Sequence, residues 1–443
     1  MRAYIVHLAW LALAACTFPH PSSGADFVLP DGTLPGQLSL DLRLRYESAT
    51  QSGVPRAEAL HLRTRLGYTS PVVNRWQMML EGDQAEVLAS DDNALLRTDA
   101  YGQPYLSPWR QTAEENSPAR FTQAWVAFEG GDTRATLGRQ VIALDNERFI
   151  GPDNWRLSRR TFDALLVRNT SLADTTVTYA YLWRVNHPSP APPIWSSTYY
   201  SRFSTTRPPR EHKIDAHLLN VSYRRSAAAK LTAYAYLIDI GTYFANSTAT
   251  MGLSLEGERR MSPSLLLGYR LEGALQRGYR TVGYMTRSNT SYAAAQLRMA
   301  GPTASLTLGS ERLEGSSWSA KRQRFDTPLA SSHRFTSWTG MVSFTPGNGL
   351  WIHSGEATVQ LPAGWTFLTG LAEYRPVGHE VFAYFAIVPP FPHFDYGRAR
   401  ELRLSLSRDF GRHLKGLVKW ADFQSRTMLP SARRLWLQLD FAY

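Results

Sequence analysis

The chain ends in the sequence LWLQLDFAY (residues 435–443), in which apolar residues recur at every second position. Leu435, Leu437, Leu439, Phe441 and Tyr443 alternate there with Trp436, Gln438, Asp440 and Ala442. An alternation with a period of two is typical of a β-strand whose two faces meet different surroundings. Chain termini normally fray into solvent, so a strand that continues to the last residue predicts pairing along its whole length.

The same alternation recurs along the chain and predicts eighteen strands. The predicted strands span residues 37–47, 58–69, 75–83, 120–130, 132–142, 161–169, 175–185, 214–225, 229–239, 247–258, 264–276, 289–300, 303–314, 350–361, 364–375, 399–410, 412–423 and 432–443. No segment has a convincing helical pattern, so the sequence predicts an all-β fold.

The links between these strands alternate in length. Short links fall at residues 70–74, 131, 170–174, 226–228, 259–263, 301–302, 362–363 and 411, and longer ones at 48–57, 84–119, 143–160, 186–213, 240–246, 277–288, 315–349, 376–398 and 424–431. An even strand number with this alternation is typical of an outer-membrane barrel, whereas a soluble sandwich or propeller does not require it. We therefore expect a transmembrane antiparallel β-barrel of about 18 strands. It would have long extracellular loops and short periplasmic turns, and its last strand would pair with its first.

Residues 1–25 have the features of a secretory signal peptide. Arg2 is followed by an apolar stretch over residues 3–15 and by a small-residue site at 23–25. This pattern predicts cleavage after Ala25 and a barrel domain over residues 26–443. Cys16, the only cysteine of the chain, also ends a sequence that resembles a lipobox, so lipidation at Cys16 stays open as an alternative. Cleavage after Ala25 would leave no thiol chemistry in the mature protein.

The composition is strongly basic, with 48 Lys and Arg against 37 Asp and Glu and a formal net charge of +11. Basic proteins bind nucleic acids, anionic membranes or acidic ligands, and secretion makes nucleic acid a poor candidate. The sequence contains no GxSxG, HExxH or CxxC motif and no phosphate-binding loop. It therefore predicts no metal site, no cofactor and no enzymatic activity.

The inward face of the predicted barrel carries many basic residues. If the first hairpin is centred on Gly53, Arg43 lies near Arg63 and Asp41 lies near Arg65. Opposed arginines on a sheet need compensation from nearby acids or from passing anions. The candidate pore-lining residues are Arg43, Arg45, Arg63, Arg65, Arg270, Arg298, Arg403, Lys415 and Lys419.

Two long segments resemble the signatures of the alginate export family of outer-membrane proteins. They are GRQVIALDNERFIGPDNWRLSRRTFDA (138–164) and RFDTPLASSHRFTSWTGMVSFTPGNGL (324–350); YRLEGALQRGY (269–279) and the terminal strand also fit. The resemblance covers residues 37–443 and implies an eighteen-stranded barrel that exports an alginate-like uronate polysaccharide through an arginine-rich lumen. It further implies a loop constriction that contains Arg139, Asp145, Asn146, Arg148 and Arg334.

The expected location is the outer membrane of a Gram-negative bacterium. Outer-membrane lipid and the barrel assembly machinery are then expected partners, and a periplasmic polysaccharide-delivery complex is a further one. Two alternatives to polysaccharide export stay open. The first is a diffusion porin for small acidic or aromatic anions, and the second, from another class, is a barrel-embedded esterase or deacylase. Many lumen arginines favour a conduit, whereas an enzyme needs one convergent catalytic triad.

Overall fold

The computed structural model describes residues 26–27, 36–52, 54–91, 97–98, 104–105, 117–187, 211–240, 247–280, 289–315, 324–342, 345–378, 398–426 and 430–443. The predicted signal peptide, including Cys16 and its cleavage site at Ala25, lies outside these residues and stays a prediction. None of the helices in the described ranges is long and apolar enough to cross a membrane.

Eighteen strands of eight residues or more form one antiparallel sheet in the described part of the chain. They are β1 (Gly36–Gln51), β2 (Val54–Thr69), β3 (Trp76–Ser90), β4 (Ser117–Gly130), β5 (Thr133–Gln140), β6 (Thr161–Asn169), β7 (Thr175–Asn186), β8 (Glu211–Ser226), β9 (Ala229–Asp239), β10 (Thr248–Ser262), β11 (Leu265–Gly278), β12 (Thr290–Ala300), β13 (Ala304–Leu313), β14 (Leu350–Leu361), β15 (Trp365–Arg375), β16 (Ala399–Phe410), β17 (Leu414–Ser425) and β18 (Ala432–Ala442). A two-residue strand, Asp26–Phe27, pairs with the start of β1, and Arg97–Thr98 pairs with Pro104–Tyr105. A single helical turn, α1, spans Ser332–Phe335.

The sheet closes into a barrel because β18 pairs with both β17 and β1. The pairing continues to the last residue of the chain. The N–H of Tyr443 donates to the carbonyl oxygen of Leu40 over 2.8 Å, and the N–H of Leu40 donates to the carbonyl oxygen of Tyr443 over 3.0 Å. The predicted barrel, with its fully paired terminal strand, is therefore confirmed.

The first predicted link, at residues 48–57, is wrong. The structure extends β1 to Gln51 and begins β2 at Val54, so that only residues 52–53 connect them. The ladder continues past the predicted ends because Ala49 still lies opposite Ala57. β3 also continues seven residues past its predicted end, to Ser90. The other strand boundaries differ from the predicted ones by at most four residues, and β6, β9, β14 and β16 agree to the residue.

The two faces of the wall are inverted relative to a soluble sheet. Leu66 and Leu275, which point outward, expose 58% and 70% of their surface, whereas Arg63 and Glu401, which point inward, expose 2% and 0%. Apolar side chains on the outside and polar ones on the inside are typical of barrels that lie in a lipid bilayer. The links that follow the even-numbered strands are all short turns, and the rim that they form is the periplasmic one. Among the links at the other rim, the one after β1 (residues 52–53) is equally short.

Candidate functional site: a constriction built by two inner loops

Two long extracellular links fold into the barrel and bind each other there. The first inner loop (residues 141–160) joins β5 to β6. The second inner loop, of which the structure describes residues 314–315, 324–342 and 345–349, joins β13 to β14. The N–H of Gly151 donates to the carbonyl oxygen of Leu329 over 2.9 Å. The hydroxyl of Ser331 accepts from the N–H of Asp153 over 2.9 Å and donates to Glu147 Oε2 over 2.7 Å. The two loops therefore act as one inserted unit.

An aromatic cluster fixes this unit to one side of the wall. Phe149, on the first inner loop, packs against Tyr234 and Tyr292 with ring centroids 5.3 Å apart in both cases. It also contacts Phe325 of the second inner loop at 5.9 Å. Each buried aromatic side chain removes about 150–250 Å² from water, which contributes a few kcal/mol at roughly 25 cal/mol per Å². Burial of Phe149 is thus a main reason why the loop folds inward.

Arg148 links the inner loops to β13, the neighbour of the strand that carries Tyr292, and is itself fully buried. Its guanidinium forms an ion pair with Glu311 of β13, and NH1 donates to Thr327 Oγ1 over 3.1 Å. The side chain of Asn146 caps the same turn, because its Oδ1 accepts the N–H of Arg148 over 3.1 Å. A buried charge with these partners is a structural cross-link between the loops and the barrel.

Asp145 contacts a different part of the wall. Its Oδ2 accepts a hydrogen bond from Asn220 Nδ2 over 2.7 Å, and its Oδ1 lies 4.0 Å from Lys230 Nζ. Burial raises the pKa of the Asp145 carboxyl above its usual value, although Lys230 and the Asn220 bond act in the opposite direction. Asp145 and Arg148 therefore hold the first inner loop from two sides.

The opposed arginines predicted for the first hairpin are observed. Arg43 lies directly opposite Arg63 in the β1–β2 register, and Asp41 lies opposite Arg65. Acids compensate the repulsion: Arg43 Nε donates to Asp440 Oδ1 over 2.6 Å, and Arg63 forms an ion pair with Asp41. The pair is thus neutralised by the wall itself, without a passing anion.

Arg65 extends this network toward β3. It lies 3.5 Å from Asp41, 3.6 Å from Glu81 and 3.6 Å from Asp83. Arg159 of the first inner loop also forms an ion pair with Glu81. The network joins three wall strands to the inserted loop.

Arg45 and Arg63 also bind the backbone of the first inner loop. Arg45 NH2 donates to the carbonyl oxygen of Trp155 over 2.7 Å, and Arg63 NH1 donates to that of Leu157 over 3.2 Å. The guanidinium of Arg45 lies 4.3 Å from the centre of the Trp155 ring. These two arginines therefore position the loop at the wall.

Glu401 of β16 anchors the second inner loop. Its carboxylate is completely buried and accepts the N–H groups of Trp338 and Thr339 over 3.0 and 2.9 Å. The hydroxyl of Ser337 donates to it over 2.7 Å, as does Nε of Arg403. Arg403, which was predicted to line the pore, is thus part of this anchor, and the role of Glu401 was not predicted. The inward parity of Glu401 was the available signal.

Lys419 lies in a box of aromatic rings. Its Nζ is 3.6 Å from the ring centre of Trp155 and 3.7 Å from that of Trp338, and it donates to His333 Nε2 over 2.8 Å. The imidazole of His333 stacks on Trp155 with centroids 4.6 Å apart. Burial, and then the proximity of Lys419, holds the pKa of His333 well below its usual value. The ring of His333 is therefore neutral at neutral pH.

A cleft opens beside this box on the inner side of β1 and β18. It is small and partly open to solvent. Its lining combines Arg45, Glu47, Trp155, Arg156, Ser332, His333, Thr336, Ser337, Trp338, Gly340, Val342, Arg434 and Trp436.

The structure places four further candidate residues along the inward face or on the inner loops. Arg270 pairs with Glu256 and lies 3.0 Å from Glu272. Arg334, on α1, is exposed and forms no ion pair with any described residue; its guanidinium lies 5.5 Å from the Phe335 ring. Lys415 lies near the periplasmic rim, 3.8 Å from Asp409. Arg298 lies near the same rim, as shown below.

Arg139 is not brought to the constriction. It follows the outward-facing Leu137 by two positions on β5, so it lies on the outer face at the extracellular end of the wall. There its guanidinium binds Asp163 over 2.7 Å and Glu211 over 3.3 Å. The expectation of a constriction residue fails because Arg139 still belongs to the strand, whose alternation fixes its direction.

The described ranges hold no group of three or more His, Cys, Asp or Glu residues that could bind a metal ion. No curated protein sequence matches the chain. Solved structures of outer-membrane proteins from two organisms are similar in fold. OpdQ of Pseudomonas aeruginosa has a TM-score of 0.65 at 11% identity, covering 92% of this chain and 98% of its own. OccAB3 of Acinetobacter baumannii gives 0.65 at 10%, with 92% and 99% covered.

A third structure, of Pseudomonas aeruginosa OpdK with vanillate, has a TM-score of 0.62 at 10% identity and covers 92% of this chain and 98% of its own. The family described as alginate export matches residues 35–308, which is more than half of the chain. The match includes the segments 138–164 and 269–279, whereas the segment 324–350 lies beyond it. The chain belongs to the alginate export family and is a channel of the Gram-negative outer membrane.

Proposed function

We propose that this channel passes an anionic polysaccharide of the uronate type across the outer membrane. The family membership supports a polymer as the substrate. The charges along the path support an anionic one. Guanidinium groups are always charged in proteins, so an arginine without a carboxylate partner adds positive potential to the water around it.

The observation that carries the proposal is the state of Arg334. It stands on the second inner loop, which narrows the lumen, and it is exposed with no ion pair to any residue that the structure describes. The two buried wall carboxylates that hold the inner loops are engaged with other arginines: Glu401 binds Arg403, and Glu311 binds Arg148. A polyanion that reaches the constriction therefore meets a cation that the wall does not neutralise.

Inward-facing hydroxyl groups offer a polar path below the inner loops. Thr358 of β14, Thr366 of β15, and Ser405 and Ser407 of β16 are all partly exposed. Hydroxyl groups exchange hydrogen bonds readily with water and with sugar hydroxyls, so no single position holds a passing chain strongly. Several weak contacts favour conduction over retention.

A second candidate function is diffusion of small carboxylic acids. It is favoured by the firm attachment of the inner loops, through contacts such as Glu401 with Thr339 and Arg148 with Glu311, which keeps the constriction narrow. The fold of OpdK, whose structure contains vanillate, is compatible with it. The family and the fold are those of channel proteins rather than of enzymes, so an embedded esterase or deacylase is the least supported alternative.

The experiment is a block measurement on the purified protein in planar bilayers. Uronate oligomers of increasing length are compared with neutral oligosaccharides of the same lengths. Polymer passage predicts ion-current blocks whose duration rises with uronate length, with little block by the neutral series. Block by monomeric acids alone would favour the small-solute porin, and equal block by neutral and acidic oligomers would contradict anion recognition.

For an exporter, a periplasmic polysaccharide-delivery complex would supply the polymer, and the barrel assembly machinery would insert the protein. Both partners are part of the proposal. The exposed outward surface, with Leu66 and Leu275, is the part that contacts outer-membrane lipid.

A further inference from the structure

Four arginines share a position at the periplasmic mouth of the barrel. Arg168, Arg224, Arg260 and Arg298 lie near the ends of β6, β8, β10 and β12, where each strand reaches its short turn. All four are exposed. They form what we call the mouth arc, which covers roughly a third of the rim.

The alternation of each strand directs these four side chains inward. Arg224 is four positions from the buried Asn220, Arg260 six from the buried Ser254, and Arg298 six from the buried Tyr292. Even separations along a strand place residues on the same face. Arg168 likewise follows the buried Ala164 by four positions. The mouth arc therefore borders the lumen rather than the lipid.

Three members of the arc have no carboxylate within ion-pair distance among the described residues: Arg168, Arg260 and Arg298. The only side-chain hydrogen bond of Arg260 to a described residue runs from Nη1 to the carbonyl oxygen of Pro263 over 3.2 Å. Arg224 lies 3.7 Å from Glu256 and still exposes 56% of its side chain. These groups are hydrated and available to a ligand.

The spacing of the arc suits an extended ligand. Neighbouring strands lie about 4.8 Å apart, so residues on alternate strands are separated by roughly 10 Å across the sheet. One small anion cannot bridge four such positions, whereas a linear polyanion laid along the rim contacts them in turn. Arginine binds carboxylates through paired N–H donors, which fixes orientation as well as charge.

Outward-facing neighbours provide a comparison surface for lipid. Arg225 and Arg259 are also exposed, but they point outward. Arg225 follows the lipid-facing Tyr223 by two positions, and Arg259 precedes the lipid-facing Met261 by two positions. Phospholipid headgroups of the inner leaflet reach this outer surface, not the inner one. The inward direction of Arg224 and Arg260 thus favours a water-borne polymer.

We propose that the mouth arc is the entry site at which an anionic polymer from the periplasm first binds before it enters the lumen. This inference rests on the proposed function, since it assumes a polyanion as substrate. It adds the place of capture and its direction. The arc raises the local concentration of the polymer by electrostatic steering and sets the association rate, whereas the constriction sets how long the polymer stays.

The test compares two double variants with the same change of charge. Arg260→Glu/Arg298→Glu alters the inward arc, and Arg225→Glu/Arg259→Glu alters the outer surface at the same rim. Folding of both is checked by heat-modifiable gel mobility, and the Gln versions of each pair replace any variant that does not fold. The probe is a purified polyuronate added to one side of a bilayer at about 0.1 M salt, where the screening length is about 10 Å.

The wild-type protein should show more frequent blocks when polyuronate is added on the side of the short turns. In the inward variant the block frequency from that side should fall by about tenfold or more, the usual size of steering effects, with block duration unchanged. The outward variant should stay within about twofold of wild type.

Equal block frequencies in the inward and outward variants, in a wild-type background that is blocked, would overturn the entry site and leave the proposed function intact. A loss of block frequency in the outward variant alone would place polymer capture on the outer surface of the rim and would also overturn the entry site. If the wild-type channel is not blocked by polyuronate from either side, the proposed function itself fails. The outcomes for the two proposals are therefore distinguishable.

Discussion

Arginines at the constriction and arginines at the periplasmic mouth are the same residue type in opposite electrostatic states. At the constriction, Arg148 is buried against Glu311 and Arg403 against Glu401. At the mouth, Arg168, Arg260 and Arg298 are exposed, with no carboxylate partner in the described part of the chain. A count of lumen arginines therefore says little about the charge that a solute meets. Burial and pairing decide which of them are structural and which are available.

The difference has a simple physical origin. A charge removed from water costs several kcal/mol unless hydrogen bonds and an opposite charge offset the loss. Arg148 and Arg403 are buried between the inner loops and the wall, so each needs its acid. Arg298 stays in water at the rim and pays no such cost. Some arginines of the lumen therefore hold the inner loops in place through buried ion pairs and add little free charge to the path.

The largest effect is expected from removing Leu439–Tyr443, because both regions exist only in a closed barrel. The deletion leaves the β1 edge unpaired near Leu40 and removes partners of β17. Each unsatisfied backbone group in lipid costs several kcal/mol. We expect no heat-modifiable, folded band on gels, whereas Tyr443→Phe, which keeps the backbone, should fold normally. A folded band from the truncated chain would show that this strand does not close the barrel.

The next effect is expected from Glu401→Gln, which attacks the constriction alone. The change leaves Arg403 buried without its opposite charge and weakens the bonds to Trp338 and Thr339. Breaking one partner of a buried pair typically costs about 3–5 kcal/mol. The second inner loop should loosen, which lowers the unfolding temperature and raises the single-channel conductance. Asp409→Asn at the exposed rim is the control, with a change within about 0.5 kcal/mol. An unchanged conductance would mean that Glu401 does not hold the constriction.

A smaller effect on conduction is expected from Arg43→Glu/Arg63→Glu. This double variant reverses two cations that acids of the wall neutralise, and its folding is checked by heat-modifiable gel mobility. The substitution leaves Asp41 and Asp440 without their partners, so the lumen becomes strongly negative at this point. Anion preference, measured as the zero-current potential in a salt gradient, should fall or change sign. Selectivity equal to that of wild type would place the conducting path away from β1 and β2.

The smallest effect concerns pH and the loop that carries His333. Its pKa is held well below the usual value, so the released loop binds the proton more readily than the bound loop. The contribution of His333 to loop binding is therefore complete above a pH of about 6.5 and is lost as the pH falls below that value. Current fluctuations should increase as the pH is lowered below this point and should be less pH-dependent in His333→Gln. A pH response that is the same in wild type and variant would assign it to another group, such as the buried His187, whose pKa is also lowered.

Much of the fold was predictable because β-alternation is a local property. Runs such as residues 229–239 and 399–410 show both strand ends in their sequence, and the alternating link lengths indicate a barrel. The opposed Arg43 and Arg63 followed from the same alternation and the position of one turn. The two largest misplacements are the first link, where the ladder continues past the apolar pattern into Ala49 and Ala57, and the end of β3, which stays paired with β2 up to Ser90.

The constriction was less predictable because its contacts join residues far apart in the chain. Arg43 contacts Asp440, which is 397 positions away in the chain. Arg148 contacts Glu311, which is 163 positions away. The path of an inner loop has no period that a sequence pattern could show. The box formed by Trp155, His333 and Lys419 brings together both inner loops and β17, and none of the three segments indicates the others.

The zero-current potential of single wild-type channels in a salt gradient tests the central claim most directly. The claim is that cations without carboxylate partners, Arg334 at the constriction and Arg298 at the mouth, make the conducting path positive. It predicts a potential with the sign of anion selectivity, which decreases as salt screens the exposed charges. A potential with the sign of cation selectivity at low salt would contradict the account.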